Sequence, residues 1–434
     1  MNTRNLYWIL FSFVCLLGML EGNERRQLRQ RDFEAVQEFV NSKRTLNLDE
    51  KEPCIVISGN TKFNIITRTE SHEGRNLRGI RKAGVIYPNN DTAVELNLKF
   101  KYKSERTWAQ SRLQFENPAG IGNLFGRNCS KDPQGMYGSG ECDDICLREA
   151  FFGYHVVKDH PEKYYFNIGG GRKRLYQEFD SRIEFNERLD GILFHFGKKI
   201  KPDWEVYNKT AFSIVDQRAN NFVYVTEFGT FDFFETKLDF KLSFIDWKTF
   251  AHRNRCNVKN PLGFNFQVVH FCGAFNFNPR LTWCNRAKIY ANFMVNAAAK
   301  PVRDLKTIEG EQKFPGVKGD AKQNIGWCLG FIMGDDEMQK IGDFALDMNY
   351  QYVQVQSVND FDARGIGRGN IAKETFSAVG RGKTNYHGFL IEAVWAISKC
   401  VSLDLAYQTS RQILRSIGGR HTSSKLELDI IYQF

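Results

Sequence analysis

The sequence predicts a closed antiparallel transmembrane β-barrel of about sixteen strands, preceded by a signal peptide and a short helix. Three observations lead there. First, the segment Leu426 to Phe434 puts Leu426, Leu428, Ile430, Tyr432 and Phe434 on one face of a strand, and Glu427, Asp429, Ile431 and Gln433 on the other. Strand side chains alternate with period two, so one face is wholly apolar and aromatic at its end. Second, the same alternation recurs in runs that reach the roughly 9–11 residues a tilted strand needs to cross a bilayer. Third, beyond the N-terminal region nothing approaches the ~20 continuous apolar residues of a membrane-spanning helix. The chain nevertheless carries 37 Phe, 16 Tyr and 7 Trp in 434 residues, the residue types of interfacial girdles on membrane barrels.

The elements follow in chain order. Residues 1–22 read as a signal peptide: Arg4 supplies a basic start, and Leu6 to Leu20 is an apolar run of 15 residues, too short for a comfortable span. Residues 23–50 lack the alternation. Phe33, Val36 and Val40 sit at helical spacing, which predicts an amphipathic periplasmic helix or linker. Arg25, Arg26, Arg29 and Arg31 are offset by Glu24, Asp32, Glu34 and Glu38, so the segment is a solvated face rather than a nucleic-acid site. Residues 51–434 form the barrel. The expected strands are 54–68, 92–103, 106–116, 147–157, 163–171, 190–199, 204–215, 221–229, 231–245, 264–276, 281–295, 324–333, 341–356, 384–398, 401–412 and 425–434. Tight joins are expected at Ser104-Glu105, Gly229-Thr230 and Lys399-Cys400, on one side of the barrel. Long polar connections are expected at 69–91, 117–146, 246–263, 296–323 and 357–383.

Composition bounds the alternatives. Net charge is +10, with 25% charged and 42% hydrophobic residues. Those values suit a soluble chain, and they also suit a barrel, half of whose strand residues face water. Of the ten cysteines, Cys15 lies in the signal. Cys129, Cys142 and Cys146 share a polar, Gly-rich stretch and are the loop-disulfide candidates, since export permits disulfides. No histidine accompanies them, so no zinc site is read there.

The connection between the fifth and sixth strands, Gly169 to Asp190, is both charged and apolar. Arg172, Lys173, Arg174, Arg182 and Arg188 stand against Glu178, Asp180, Glu184, Glu187 and Asp190, interleaved with Leu175, Tyr176, Phe179, Ile183 and Phe185. A surface loop does not leave such apolar residues in water. The expectation is that it folds into the lumen as a constriction, its apolar residues on the wall and its charges across the pore. The constriction candidates are Arg172, Lys173, Arg174, Glu178, Asp180, Arg182, Glu184 and Arg188. An outward surface loop or a subunit contact is the alternative.

Several motifs carry a family resemblance. Gly171-Arg172-x-x-Leu175-x-x-x-Phe179-Asp180-Ser181 is followed by Asp190-Gly191-Ile192, and both join the opening strand around Ile57-Ser58-Gly59 and the aromatic final strand. Together they resemble the outer-membrane porin family of chlamydia-related, Gram-negative intracellular bacteria. The resemblance implies a sixteen-stranded porin whose constriction loop follows the fifth strand. It also implies that Leu426, Leu428, Ile430, Tyr432 and Phe434 form the signal read by barrel-assembly machinery.

Other chemistries find little support. Gly380-Arg381-Gly382-Lys383-Thr384 lacks the first glycine of a phosphate loop, since Ser377 stands there, and a strand follows it. His155, His195, His270 and His387 are scattered with no serine or carboxylate at a repeating offset. His195, between Phe194 and Phe196, reads as an ordinary lumen residue, and Asp335-Asp336 as a solvated turn. The expected function is a water-filled channel for passive diffusion of small hydrophilic solutes and ions, not an enzyme, with no cofactor or metal. The basic excess points to a mild anion preference. The expected partners are outer-membrane lipid, barrel-assembly machinery and the permeating solutes. A homotrimer is left open, and no nucleic acid is involved. A non-channel surface protein, either an adhesin or a structural element cross-linked through cysteines, is the alternative. A soluble β-rich binding protein is a third reading.

Overall fold

The computed structural model describes most residues from 54 to 434. Residues 1–53 lie outside it, and so do the segments 119–143, 158–163, 217–220, 250–265, 303–320 and 367–382 and several short loop stretches, Asp180 among them. The signal peptide, the expected helix, Cys129 and Cys142 therefore fall outside the described residues.

Sixteen strands form the wall: β1 (Cys54–His72), β2 (Asn90–Lys103), β3 (Thr107–Pro118), β4 (Asp144–Val157), β5 (Tyr164–Arg174), β6 (Arg188–Lys199), β7 (Glu205–Asp216), β8 (Asn221–Phe231), β9 (Leu238–Thr249), β10 (Phe266–Phe277), β11 (Ala287–Asn296), β12 (Ile325–Gly334), β13 (Phe344–Val353), β14 (Tyr386–Ala396), β15 (Val401–Gln412) and β16 (His421–Gln433). Each pairs antiparallel with its neighbours in sequence, and β1 pairs with both β2 and β16. The β1–β16 ladder runs from Asn60 opposite Gln433 to His72 opposite His421. The backbones of Gly59 and Phe434 exchange two further hydrogen bonds of 3.0 Å. The sheet therefore has no free edge.

The wall is inside-out relative to a water-soluble fold. Phe152 is 66% exposed and Leu329 54%, whereas Asp347, Glu227 and Gln351 on inward positions are fully buried. On β16, Leu426, Ile430, Tyr432 and Phe434 point outward, while Asp429, Ile431 and Gln433 are buried inside. An exterior of this kind matches hydrocarbon, and closing the ring pairs the backbones of β1 and β16 instead of leaving two sheet edges in it. Aromatic clusters flank the apolar belt at both rims. Trp204 and Phe234 (4.4 Å) and Tyr432 and Phe434 (6.4 Å) lie at one end; Phe212 and Phe222 (5.5 Å) and Trp327 and Tyr352 (5.9 Å) lie at the other.

Connections after even-numbered strands gather at one end of the barrel, and those after odd-numbered strands at the other. The expected strands all exist, with several ends shifted by a few residues, and three of the shifts change the reading of a connection. Gly229-Thr230 is not a turn: both residues lie within β8, opposite Tyr207 and Val206. A β-carbon at Gly229 would stand 2.2 Å from the Tyr207 ring, so this glycine makes room for a tyrosine whose hydroxyl donates to Glu227 (2.9 Å). The turn is 232–237. Asp232, Phe234, Glu235 and Lys237 all adopt positive φ there, held by hydrogen bonds from Lys237 N–H to Asp232 Oδ1 (2.7 Å) and from Asp232 N–H to Asp239 Oδ1 (2.9 Å). Secondly, β11 starts only at Ala287, and Leu281 and Cys284 form an isolated bridge before it. Thirdly, β5 runs on to Arg174 and β6 starts at Arg188, which shortens the connection between them to 175–187.

Replacing Gly229 by Val is expected to displace the Tyr207 ring and destabilise the barrel by about 1–3 kcal/mol, read as a lowered urea midpoint in lipid vesicles. An unchanged midpoint would mean that the ring yields without cost.

Candidate functional site

The 175–187 loop enters the lumen. Its neck is closed by the Leu175 N–H donating to Glu187 O (3.0 Å), and Glu178 and Phe179 N–H both donate to Leu175 O in a single 3₁₀ turn. The Ser181 hydroxyl then accepts from Ile183 and Glu184 N–H at 3.2 and 3.1 Å, a local side-chain turn of the kind serine favours. Leu175, Tyr176, Phe179, Ile183 and Phe185 are all buried. They pack with Leu193, Val223, Val225, Ile245, Trp247, Val268 and Met294 of the wall in one continuous apolar core. The Phe179 and Phe185 rings lie 5.4 Å apart. Phe185 is held at φ 72°, a conformation bulky residues adopt only when their surroundings impose it.

Polar contacts fix this loop at both flanks. Arg182 pairs with Asp347 at 2.7 Å and lies over the Tyr290 ring, whose hydroxyl donates to the same carboxylate (2.7 Å). Lys209 Nζ donates to Glu178 O (2.8 Å), and Lys173 pairs with the Glu178 carboxylate. Burial opposes ionisation of Glu178, but the Lys173 and Lys209 ammonium groups outweigh it and hold its carboxyl at about 2. The connection between β13 and β14 supplies a clasp. Asp362 accepts from Phe185 N–H (3.3 Å) and Glu187 N–H (2.9 Å) through its carboxylate, and from Asn186 N–H (3.0 Å) through its carbonyl. Arg364 donates from its N–H to Ile183 O (3.1 Å) and from Nη1 to Ser181 O (3.3 Å), and it covers the Tyr176 ring at 4.2 Å. Burial pushes the Asp362 carboxyl up to about 8, against the two N–H donors. Burial, then the neighbouring Asp362, raises Glu184 well above the carboxylate range.

Among the described residues the rest of the lumen stays open. A cavity of about 310 Å³ lies against β1–β3 and β14–β16. Arg112, Arg174 and Arg188 line one side of it; Glu392, Asp404, Glu427 and Asp429 line the other, with Lys62 and Glu95 between. Arg148 lies close enough to Arg188 to repel it. Lys62 is paired with Asp429, and Asn64 Nδ2 donates to Glu427 (2.7 Å) and Asp429 (2.5 Å).

The sequence candidates are thus divided. Arg174 and Arg188 line the opening, from strand ends rather than from a loop. Lys173, Glu178 and Arg182 lie inside but serve as anchors, and Glu184 is buried beside His270. Arg172 stands on the outward face, paired with Asp190 at 2.8 Å beside Ile192. Asp180 lies outside the described residues. Cys146 carries no disulfide. His155, His195 and His387 each meet one polar partner, Asn167, Tyr165 and Tyr350 respectively. Sequence reasoning missed the clasp of Asp362 and Arg364, and the acidic wall of β14–β16. It also missed a contact of His270 with Cys272 and Glu184. The i, i+2 spacing of His270 and Cys272 on one strand face was the one local signal available.

No protein-family model matches the sequence, and no curated protein matches it. Among solved structures the chain is similar to a triple mutant of Rhodopseudomonas blastica porin, with TM-score 0.40 and 9% identity over 88% of this chain and 100% of that one. It is also similar to Pseudomonas putida OprB at high pH, with TM-score 0.47 and 9% identity over 88% of this chain and 94% of that one.

The clasp is expected to loosen as pH rises. Asp362 is favoured in its protonated form when folded. The protection it gives is complete below the ordinary carboxyl value near ~4 and is lost as pH passes through about 8. Ionisation there also sets Asp362 against Glu184 and Glu187, with Lys383 an offsetting cation. Amide exchange at Phe185 to Glu187, corrected for its intrinsic pH dependence, should accelerate across that window, and Asp362→Asn should flatten the response. A pH-independent rate in the wild type would contradict it.

Proposed function

We propose that the chain is an outer-membrane porin of a Gram-negative bacterium, a water-filled channel for passive diffusion of small hydrophilic solutes and ions. The observation that carries this reading is the inside-out wall around a lumen left open on one side. An apolar exterior requires lipid, and a charged, hydrated interior offers a polar solute a path that hydrocarbon denies. No step in it needs a nucleophile or cofactor. Assignment to the porins of chlamydia-related bacteria, a homotrimeric assembly and recognition of Leu426, Leu428, Ile430, Tyr432 and Phe434 by barrel-assembly machinery belong to the same proposal.

The filter is where Arg112, Arg174 and Arg188 face Glu392, Asp404, Glu427 and Asp429 across the opening. Opposed charges on facing walls set a field transverse to the path, so sign selectivity depends on which wall is stronger rather than on the net charge of +10. The 175–187 loop narrows the lumen by filling the far side, and its Glu178 and Arg182 are spent on anchoring.

Single-channel recording of the refolded protein in a planar bilayer tests this. Stable ohmic steps are expected. Replacing Arg174 and Arg188 by Gln should leave the acidic wall unopposed and move the reversal potential in a salt gradient toward cations. Glu427→Gln with Asp429→Asn should move it the opposite way. A folded barrel that stays silent would return the non-channel surface protein to first place.

A further inference from the structure

We propose that Cys272 is a modification site: a thiol activated by His270 and Glu184 that exchanges with low-mass disulfides reaching the lumen. Cys272 and His270 both face inward from β10, two residues apart. The thiol sulfur lies 3.2 Å from His270 Nε2. On the far side of the ring, Nδ1 lies 3.6 Å from Glu184 Oε2. The imidazole and the Glu184 side chain are fully buried, and neither Glu184 oxygen has a hydrogen-bond partner. An unpartnered buried carboxyl aimed at a ring nitrogen is costly unless that nitrogen carries a proton. The arrangement therefore favours the tautomer with Nδ1–H toward Glu184, which leaves Nε2 as the base facing the thiol. At 3.6 Å the two groups are in contact rather than hydrogen-bonded, and the carbonyl oxygen of a neutral Glu184 would accept from Nδ1–H on closer approach.

Nucleophile, base and orienting acid make the ordered set that activates a cysteine. Lys241 sits directly opposite Cys272 in the β9–β10 register and also faces inward, adding a cation on the thiol's own wall. Among the described cysteines, Cys272 alone has an imidazole nitrogen at hydrogen-bond distance. Cys284 donates to Arg286 O (3.0 Å), Cys328 is closed off, and the more exposed Cys146 and Cys400 have no such base.

In the exchange, His270 takes the thiol proton. The Cys272 sulfur attacks one sulfur of the disulfide, forming a mixed disulfide as the original S–S bond breaks. The departing thiolate takes the proton back from His270. Cys272 is oxidised and half of the small disulfide is reduced, with no further oxidant. Because Glu184 belongs to the inserted loop, the adduct forms at the contact between the wall and that loop. The inference stands apart from the channel reading, since it needs access to the lumen and not conduction.

The test is reaction of the folded full-length barrel with dithiodipyridine, followed by absorbance of the released thione and by peptide mass mapping. Among the described cysteines Cys272 is expected to be the fastest thiol, and His270→Gln to slow it by at least about tenfold. Its wild-type rate should persist to lower pH than that of Cys400 in the same molecule. Should His270→Gln not fold, the wild-type pH profile decides alone. A Cys272 rate that falls with pH in step with Cys400, or one indifferent to His270→Gln, would overturn the proposal.

Discussion

Backbone pairing in hydrocarbon is the constraint on which this structure depends. Lipid offers no partner to an exposed N–H or C=O, so a sheet that spans it must close. Here closure falls to β1, which pairs with β2 along one edge and with β16 along the other. Once the ring closes, the two faces of every strand have different solvents, and the period-two alternation decides which side chain meets which. Polar residues such as Asn64 and Asp429 then have only the interior, where they bond to one another (2.5 Å).

Closure creates a second problem, since a sixteen-stranded ring is too wide for wall side chains to fill. The chain divides the lumen. One side receives a soluble-type apolar core, built from Phe179, Ile183 and Phe185 against the walls of β6 to β11. The other keeps its charges facing water. Ordering a connection of this length costs backbone entropy of about 1–2 kcal/mol per residue, so apolar burial is reinforced by the Arg182–Asp347 pair and by the Asp362 clasp. Because the clasp comes from a distant connection, the position of the loop reports on two parts of the chain at once.

Much of the barrel was legible because its signal is local. Leu426 to Phe434 alternates within nine residues, and each of the sixteen strands can be found from its own alternation. Gly229 was misread because glycine in isolation looks like a turn, whereas its role is set by Tyr207 across the ladder. The inserted loop was legible from Leu175, Phe179 and Ile183, apolar residues a solvated loop would not keep. Its charges were harder: Arg172 and Arg174 are two residues apart, yet one pairs outside with Asp190 and the other lines the opening. Nothing local announces that Asp362 will hold the amides of Phe185 and Glu187, or that Glu184 will face His270. Those meetings join residues far apart in sequence and exist only after closure.

The most direct test of the inside-out wall is nitroxide scanning of single-cysteine variants from Leu426 to Phe434 in lipid vesicles, in a background cleared of the native cysteines. Collision with dissolved oxygen should peak at 426, 428, 430, 432 and 434, and collision with a water-soluble nickel chelate at the positions between them, in a strict two-residue alternation. Uniform access of the chelate to both sets would mean that the apolar face meets water, and the membrane-spanning barrel would be contradicted.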